Sequence, residues 1–67
     1  MKVLKLRGKM VEKEMNVEAL AEKIGVDRAT LYRKLRSSEK ITIGDALKMK
    51  EALCLTKEEA SEIFFGD

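Results

Sequence analysis

Asn16-Val17-Glu18-Ala19-Leu20-Ala21-Glu22-Lys23-Ile24-Gly25-Val26-Asp27-Arg28-Ala29-Thr30-Leu31-Tyr32-Arg33-Lys34-Leu35-Arg36 reads as two short amphipathic helices joined by a tight turn. Asn16 is a good N-cap, because its side-chain oxygen can accept from the orphan N–H groups of a first helical turn. Val17, Leu20, Ala21 and Ile24 recur at helical spacing and predict an inner stripe over residues 17–24. Glu18 suits the positive end of the helix dipole. Gly25 follows the last periodic residue and can take the left-handed stop. Val26 is an apolar plug, and Asp27 is the expected N-cap of a helix over residues 28–36. Leu31 and Leu35, four apart, face inward. Arg28, Ala29, Tyr32, Arg33 and Arg36 are left on the outer face at steps of one, three and four.

Outward from this pair, nearly everything else reads as helix. A first helix is expected over residues 3–13, with Val3, Leu6 and Met10 at steps of three and four and Val11 beside them. Gly8 inside it either costs about 1 kcal/mol against alanine or marks a close helix crossing. Residues 37–41 read as a loop that Ile41 tethers to the core. Thr42 and Asp45 form a capping box opening a helix over residues 43–53. Ile43, Ala46, Leu47, Met49, Lys50 and Leu53 are shared between its inner face and flank. Thr56 and Glu59 form a second box, ahead of a helix over residues 57–65. Ala60, Ile63 and Phe64 make its apolar stripe, and Gly66 stops it. The fold class expected is all-α: a compact five-helix bundle in one domain spanning residues 1–67, with loops of two to six residues.

Composition closes several functions. The 67 residues include one cysteine and no histidine, proline or tryptophan. A chain this short buries only about 60% of its unfolded surface. It has no room for an enclosed substrate pocket of roughly 300 Å³ or more. Without histidine or a second thiol, the common zinc sites and the Ser-His and Cys-His nucleophiles are closed. The expectation is therefore no enzyme, no catalytic residue, no metal and no cofactor. Cys54 has no partner for a disulfide, which points to a reducing, cytoplasmic setting. The longest uncharged run, Ala52 to Thr56, is far below the roughly 18 apolar residues that span a membrane. No apolar segment follows Met1, Lys2 and Lys5 as a signal peptide would require.

The net charge is +2, but its distribution is uneven. Residues 1–13 carry +4, residues 14–26 carry −2, residues 27–40 carry +3 and residues 41–67 carry −3. A polyanion would meet the first and third blocks, while the last would be held away. Two helices joined by a tight glycine turn form a helix-turn-helix unit, whose second helix can enter a DNA major groove.

The segment from Val17 to Leu35 resembles the Cro/C1-type helix-turn-helix family, the phage repressors and their bacterial relatives. Leu20-Ala21, Gly25 with Val26, and Thr30-Leu31 carry the resemblance. Ile41, Thr42, Asp45, Ala52-Leu53 and Leu55-Thr56 extend it over nearly the whole chain. The chain looks closest to short phage-encoded members made of this domain alone, with a lambda-repressor-like fold. Two departures stand out. The family usually opens the second helix with Thr-Gln, where this chain has Asn16-Val17: the cap survives and the polar contact does not. The family also often has glycine where this chain has Glu14 and Ser37.

The resemblance implies roles by position. Arg28, Ala29 and Arg33 look like base readers: the arginines for guanine, Ala29 for a thymine methyl. Thr30 and Tyr32 look like flanking contacts, although Tyr32 is also readable as a half-buried core ring. Phosphate contacts would come from Asn16 and Val17 at the helix start and from Arg36, Ser37, Ser38 and Lys40 after the third helix. Lys5, Lys9 and Lys13 on the first helix are secondary candidates for phosphate contact, and such a charge run also reads as a solvated face. The function implied is sequence-specific binding of a double-stranded DNA operator as a repressor-like transcriptional regulator. The alternative is a protein-interaction module or anti-regulator on the same scaffold. A homodimer is expected, with the fifth helix supplying contact through Phe65 and whatever the core leaves free of Ile63 and Phe64.

Overall fold

The computed structural model describes residues 2–65, and the expected stop at Gly66 lies outside them. Five helices appear in the anticipated order: α1 (Val3–Glu12), α2 (Val17–Ile24), α3 (Arg28–Arg36), α4 (Ile43–Ala52) and α5 (Lys57–Ala60). There is no strand among the described residues. The expected loop after α3 contains one 3-10 turn, Ser38–Lys40, and α5 runs on as a π-helical turn, Ser61–Phe65. The fifth helix is thus not the uniform α-helix expected over residues 57–65. Its backbone loosens after Ala60, with Ile63 buried and Phe65 exposed.

The helix starts follow local chemistry. The Ala19 N–H donates to Asn16 Oδ1 at 2.8 Å, as its N-cap role requires. Both capping boxes form completely. The Asp45 N–H donates to Thr42 Oγ1 at 3.0 Å and the Thr42 N–H to Asp45 Oδ2 at 3.1 Å. The Thr56–Glu59 pair repeats this at 3.1 and 2.9 Å. Asp27 departs from expectation. Its backbone is extended like a cap residue, but its side chain makes no cap bond and instead accepts from the Thr30 hydroxyl. That bond holds the Asp27 carboxyl below its ordinary value.

Three helix ends share one geometry. After α1, α2 and α4, an N–H reaches back five residues: Met15 to Met10, Val26 to Ala21, and Leu55 to Lys50. Each such turn needs one left-handed residue. At α2 it is Gly25, φ 81°; at the others it is Glu14, φ 55°, and Cys54, φ 52°. Glu14, where the resemblance leads one to expect glycine, lies in the left-handed region that favours glycine. An L-residue in this region carries a strain of about 1 kcal/mol. Gly8, by contrast, marks no crossing. A Cβ there would meet nothing within 4 Å.

Leu6, Leu20, Leu31, Met49 and Leu53 are the largest fully enclosed side chains. They come from α1, α2, α3 and α4 and from the α4 C-cap. Burying each leucine or methionine contributes about 1.5–3 kcal/mol. Helix α2 packs on both α3 and α4, and α1 lies against the π-helical turn. There the Lys2 N–H donates to the Ile63 carbonyl at 2.7 Å. Val11, expected beside the α1 stripe, is exposed, and of the α4 residues expected to be shared between inner face and flank, Ile43 and Leu47 take the exposed flank. On α1 and α4 the core-facing stripe is used up by Leu6 and Met10 and by Asp45, Ala46 and Met49.

Candidate nucleic-acid interface

Helix α3 is seated from below by Leu31 and Leu35, both buried against the core. On a helix of 3.6 residues per turn, the opposite arc carries residues 28, 29, 32, 33 and 36. All five side chains on that arc, from Arg28 to Arg36, are exposed. Tyr32 is 43% exposed and lies outside the core cluster, so the core-ring reading of it does not hold. Thr30 is partly buried, and its hydroxyl is engaged locally: it donates to Asp27 and accepts from Arg33 Nη2 at 3.3 Å.

The cations on this arc differ in what holds them. Arg33 and Arg36 take part in no ion pair among the described residues. Arg28 has a loose pairing, Nη1 to Glu18 Oε2 at 3.5 Å, with side chains 64% and 71% exposed. Exposed pairs of this kind contribute about 0–1 kcal/mol, so Arg28 is not locked against its own chain. Lys34, on the flank of the same helix, is different. Its Nζ lies 2.5 Å from Asp45 Oδ2, and both side chains are largely covered. Burial opposes ionisation of Asp45, but the Lys34 ammonium and the Thr42 N–H outweigh it and hold the carboxyl below its ordinary value. One carboxylate therefore closes the α4 capping box and props α3.

The other expected contact residues gather at the two ends of α3. Asn16 and the start of α2 lie beside its N-terminal end, as the Glu18–Arg28 contact shows. The side-chain oxygen of Asn16 is spent on the cap. The first-turn N–H groups of Val17 and Glu18 have no intrahelical acceptor, and no cap bond uses them. The Val17 side chain is buried, so only its backbone can face a ligand. At the other end Arg36 and Lys40 are exposed, while Ser37 and Ser38 are partly covered within the 3-10 turn. No cluster of three or more metal-ligating side chains occurs among the described residues. No helix of the described residues is long and apolar enough to cross a membrane.

A short capped helix, a left-handed glycine turn and a second helix with an open basic face define a helix-turn-helix DNA-binding domain. The chain belongs to the Cro/C1-type HTH DNA-binding domain family, whose sequence pattern matches residues 5–59. No curated protein and no solved structure matches the chain. Its family makes it a DNA-binding regulatory domain rather than an enzyme.

Two features of this surface were not legible in the sequence. Glu18 reads there as a dipole-favouring residue, and its approach to Arg28 joins residues 10 apart on two helices. The Lys34–Asp45 pair is 11 residues apart. The only available signal for it is that Lys34 falls between the inner and outer arcs of α3, where a long side chain can turn either way.

Proposed function

We propose that this domain binds a double-stranded DNA operator in a sequence-specific manner, as a repressor-like transcriptional regulator of phage or bacterial type. Helix α3 enters the major groove. Arg28 and Arg33 read guanine, and Ala29 packs on a thymine methyl. Tyr32 and Thr30 flank them. The backbone N–H of Val17, the cap at Asn16, and Arg36, Ser37, Ser38 and Lys40 meet phosphates on either side. The observation that carries this reading is the open arc of α3: arginines without firm carboxylate partners above a buried Leu31 and Leu35.

The test is selection of bound sequences from a random duplex library, followed by titration of the enriched duplex. Arg28→Glu with Arg33→Glu should abolish binding while circular dichroism keeps its helical signal. Unchanged affinity in that double variant ends the reading.

The domain acts on such an operator as a homodimer, because one recognition helix buries too little surface for tight specific binding. Ile63 is buried and cannot supply the contact, but Phe65 is 64% exposed. With Ile43 at 69% and Leu47 at 57%, it forms an apolar rim around grooves shared by α4 and the π-helical turn. This apolar patch is the surface on which a second copy of the chain would meet the first; the alternative is an unrelated protein partner. Sedimentation showing a monomer at high micromolar concentration, free and on the enriched duplex, refutes the dimer.

A further inference from the structure

The exposed start of α2 holds a carboxylate where a phosphate backbone would approach. Glu18 is the second residue of α2, with its side chain 71% exposed and its Oε2 at 3.5 Å from Arg28 Nη1. Its own N–H is one of the free donors of the first turn. A negative charge at this point repels any duplex, whatever its sequence. Arg28 offsets that charge as long as it stays beside it. Moving the guanidinium wholly to DNA therefore exposes Glu18 to the phosphates.

The base edges differ in how well they compensate. A guanidinium presents five N–H donors in a rigid fork. Guanine offers two acceptors, O6 and N7, matched to that fork, while adenine offers one acceptor beside a donor and thymine one acceptor. Only at guanine can Arg28 gain a paired contact while one Nη1 hydrogen remains on Glu18. At the other bases it gives up a carboxylate for a single acceptor.

We propose that Glu18 is a specificity-determining residue of the α3 reading surface. Its loose contact biases the Arg28 guanidinium towards guanine and away from other bases and bare phosphates. This rests on the groove-reading function proposed above. Glu18 acts through Arg28 and is a positioning residue; it makes no contact with a base itself.

The experiment uses the full chain, the duplex enriched by wild type, and a scrambled duplex of equal length. Glu18→Gln should bind the scrambled duplex roughly two- to fivefold more tightly, the scale of one exposed ion pair. Its preference for the enriched duplex should fall by a similar factor. A library reselected with Glu18→Gln should show weaker guanine enrichment at one position. In an Arg28→Ala background, Glu18→Gln should leave the preference unchanged, which a general structural effect of residue 18 would not do. Equal changes on both duplexes, an undiminished guanine preference, or the same loss of preference with and without Arg28 overturns the proposal while leaving groove reading intact. Failure of wild type to enrich any sequence overturns both.

Discussion

Helices α1 and α3 are both basic in sequence, yet Lys5 and Lys9 of the one and the arginines of the other have different fates. On α1, Lys5 pairs with Glu62, and Lys9 bridges Glu12 at 3.1 Å and Glu59. The Glu59 and Glu12 carboxylates raise the Lys9 ammonium above its ordinary value. On the open arc of α3, only Arg28 touches a carboxylate, and loosely. The fold brings the acidic C-terminal segment against α1 and leaves the arc of α3 uncovered. A basic block is thus no guide to a binding face until the landing place of the acidic blocks is known. The α1 lysines help hold the chain together, and the α3 arginines are free to meet another molecule.

The largest expected effect comes from reversing the free set. Arg28→Glu with Arg33→Glu should weaken duplex binding by more than about 100-fold, because two guanine contacts are lost and phosphate repulsion is added. Lys5→Gln with Lys9→Gln should change the same titration less than about twofold, since both lysines already rest on the chain's own carboxylates. A comparable loss from the α1 pair would erase the distinction between the two helices.

Lys34 sharpens the contrast, because it sits on α3 but behaves like the α1 lysines. Lys34→Met strips a part-buried carboxylate of its charged partner and should cost about 1–3 kcal/mol of stability by urea denaturation. Its effect on DNA affinity, measured where the variant is fully folded, should be smaller than that of either arginine.

Next in size is the left-handed corner after α1. Glu14→Gly relieves the φ of 55° and should stabilise the fold by about 0.5–1 kcal/mol. A loss of stability would mean that the Glu14 side chain makes a contribution its exposure does not suggest.

The smallest effect belongs to the α1–α5 clasp and appears only in acid. Lys9 and the Thr56 N–H hold the Glu59 carboxyl down to about 2 from 4.5. The unfolded chain takes up that proton more readily, so the stabilisation is complete above pH 4.5 and is lost as pH falls towards 2. Thermal melts across this window should fall less steeply for Glu59→Gln than for wild type. Identical slopes would show that the clasp contributes nothing, with the Asp45 carboxyl responsible for the acid limb.

The helix-turn-helix was legible because its determinants are local. Asn16, Gly25 and the capping threonines Thr42 and Thr56 each act within a few residues, and the stripe of Leu20, Ile24, Leu31 and Leu35 has a clean helical period. Local rules reached less far where two outcomes share one pattern. Val11, Ile43 and Leu47 keep the right spacing for burial, but only packing decides which flank of a helix meets the core. Asp27 has the right chemistry for a cap, and a nearer hydroxyl at Thr30 takes its oxygen. The ion pairs between elements were beyond reach because they join residues 57 apart, as in Lys5–Glu62, or sit across two helices. The outer arc of α3 could be read in advance, whereas the carboxylate waiting beside Arg28 could not.

The three matching corners of the chain also distribute tension unequally. Two are closed by residues that resist the bend, Glu14 and Cys54, and one by Gly25, which does not. The relaxed corner is the hinge between α2 and α3. The aim of the arginine-bearing rod is therefore set by a joint free of the left-handed cost that Glu14 and Cys54 carry at the elbows before α2 and after α4.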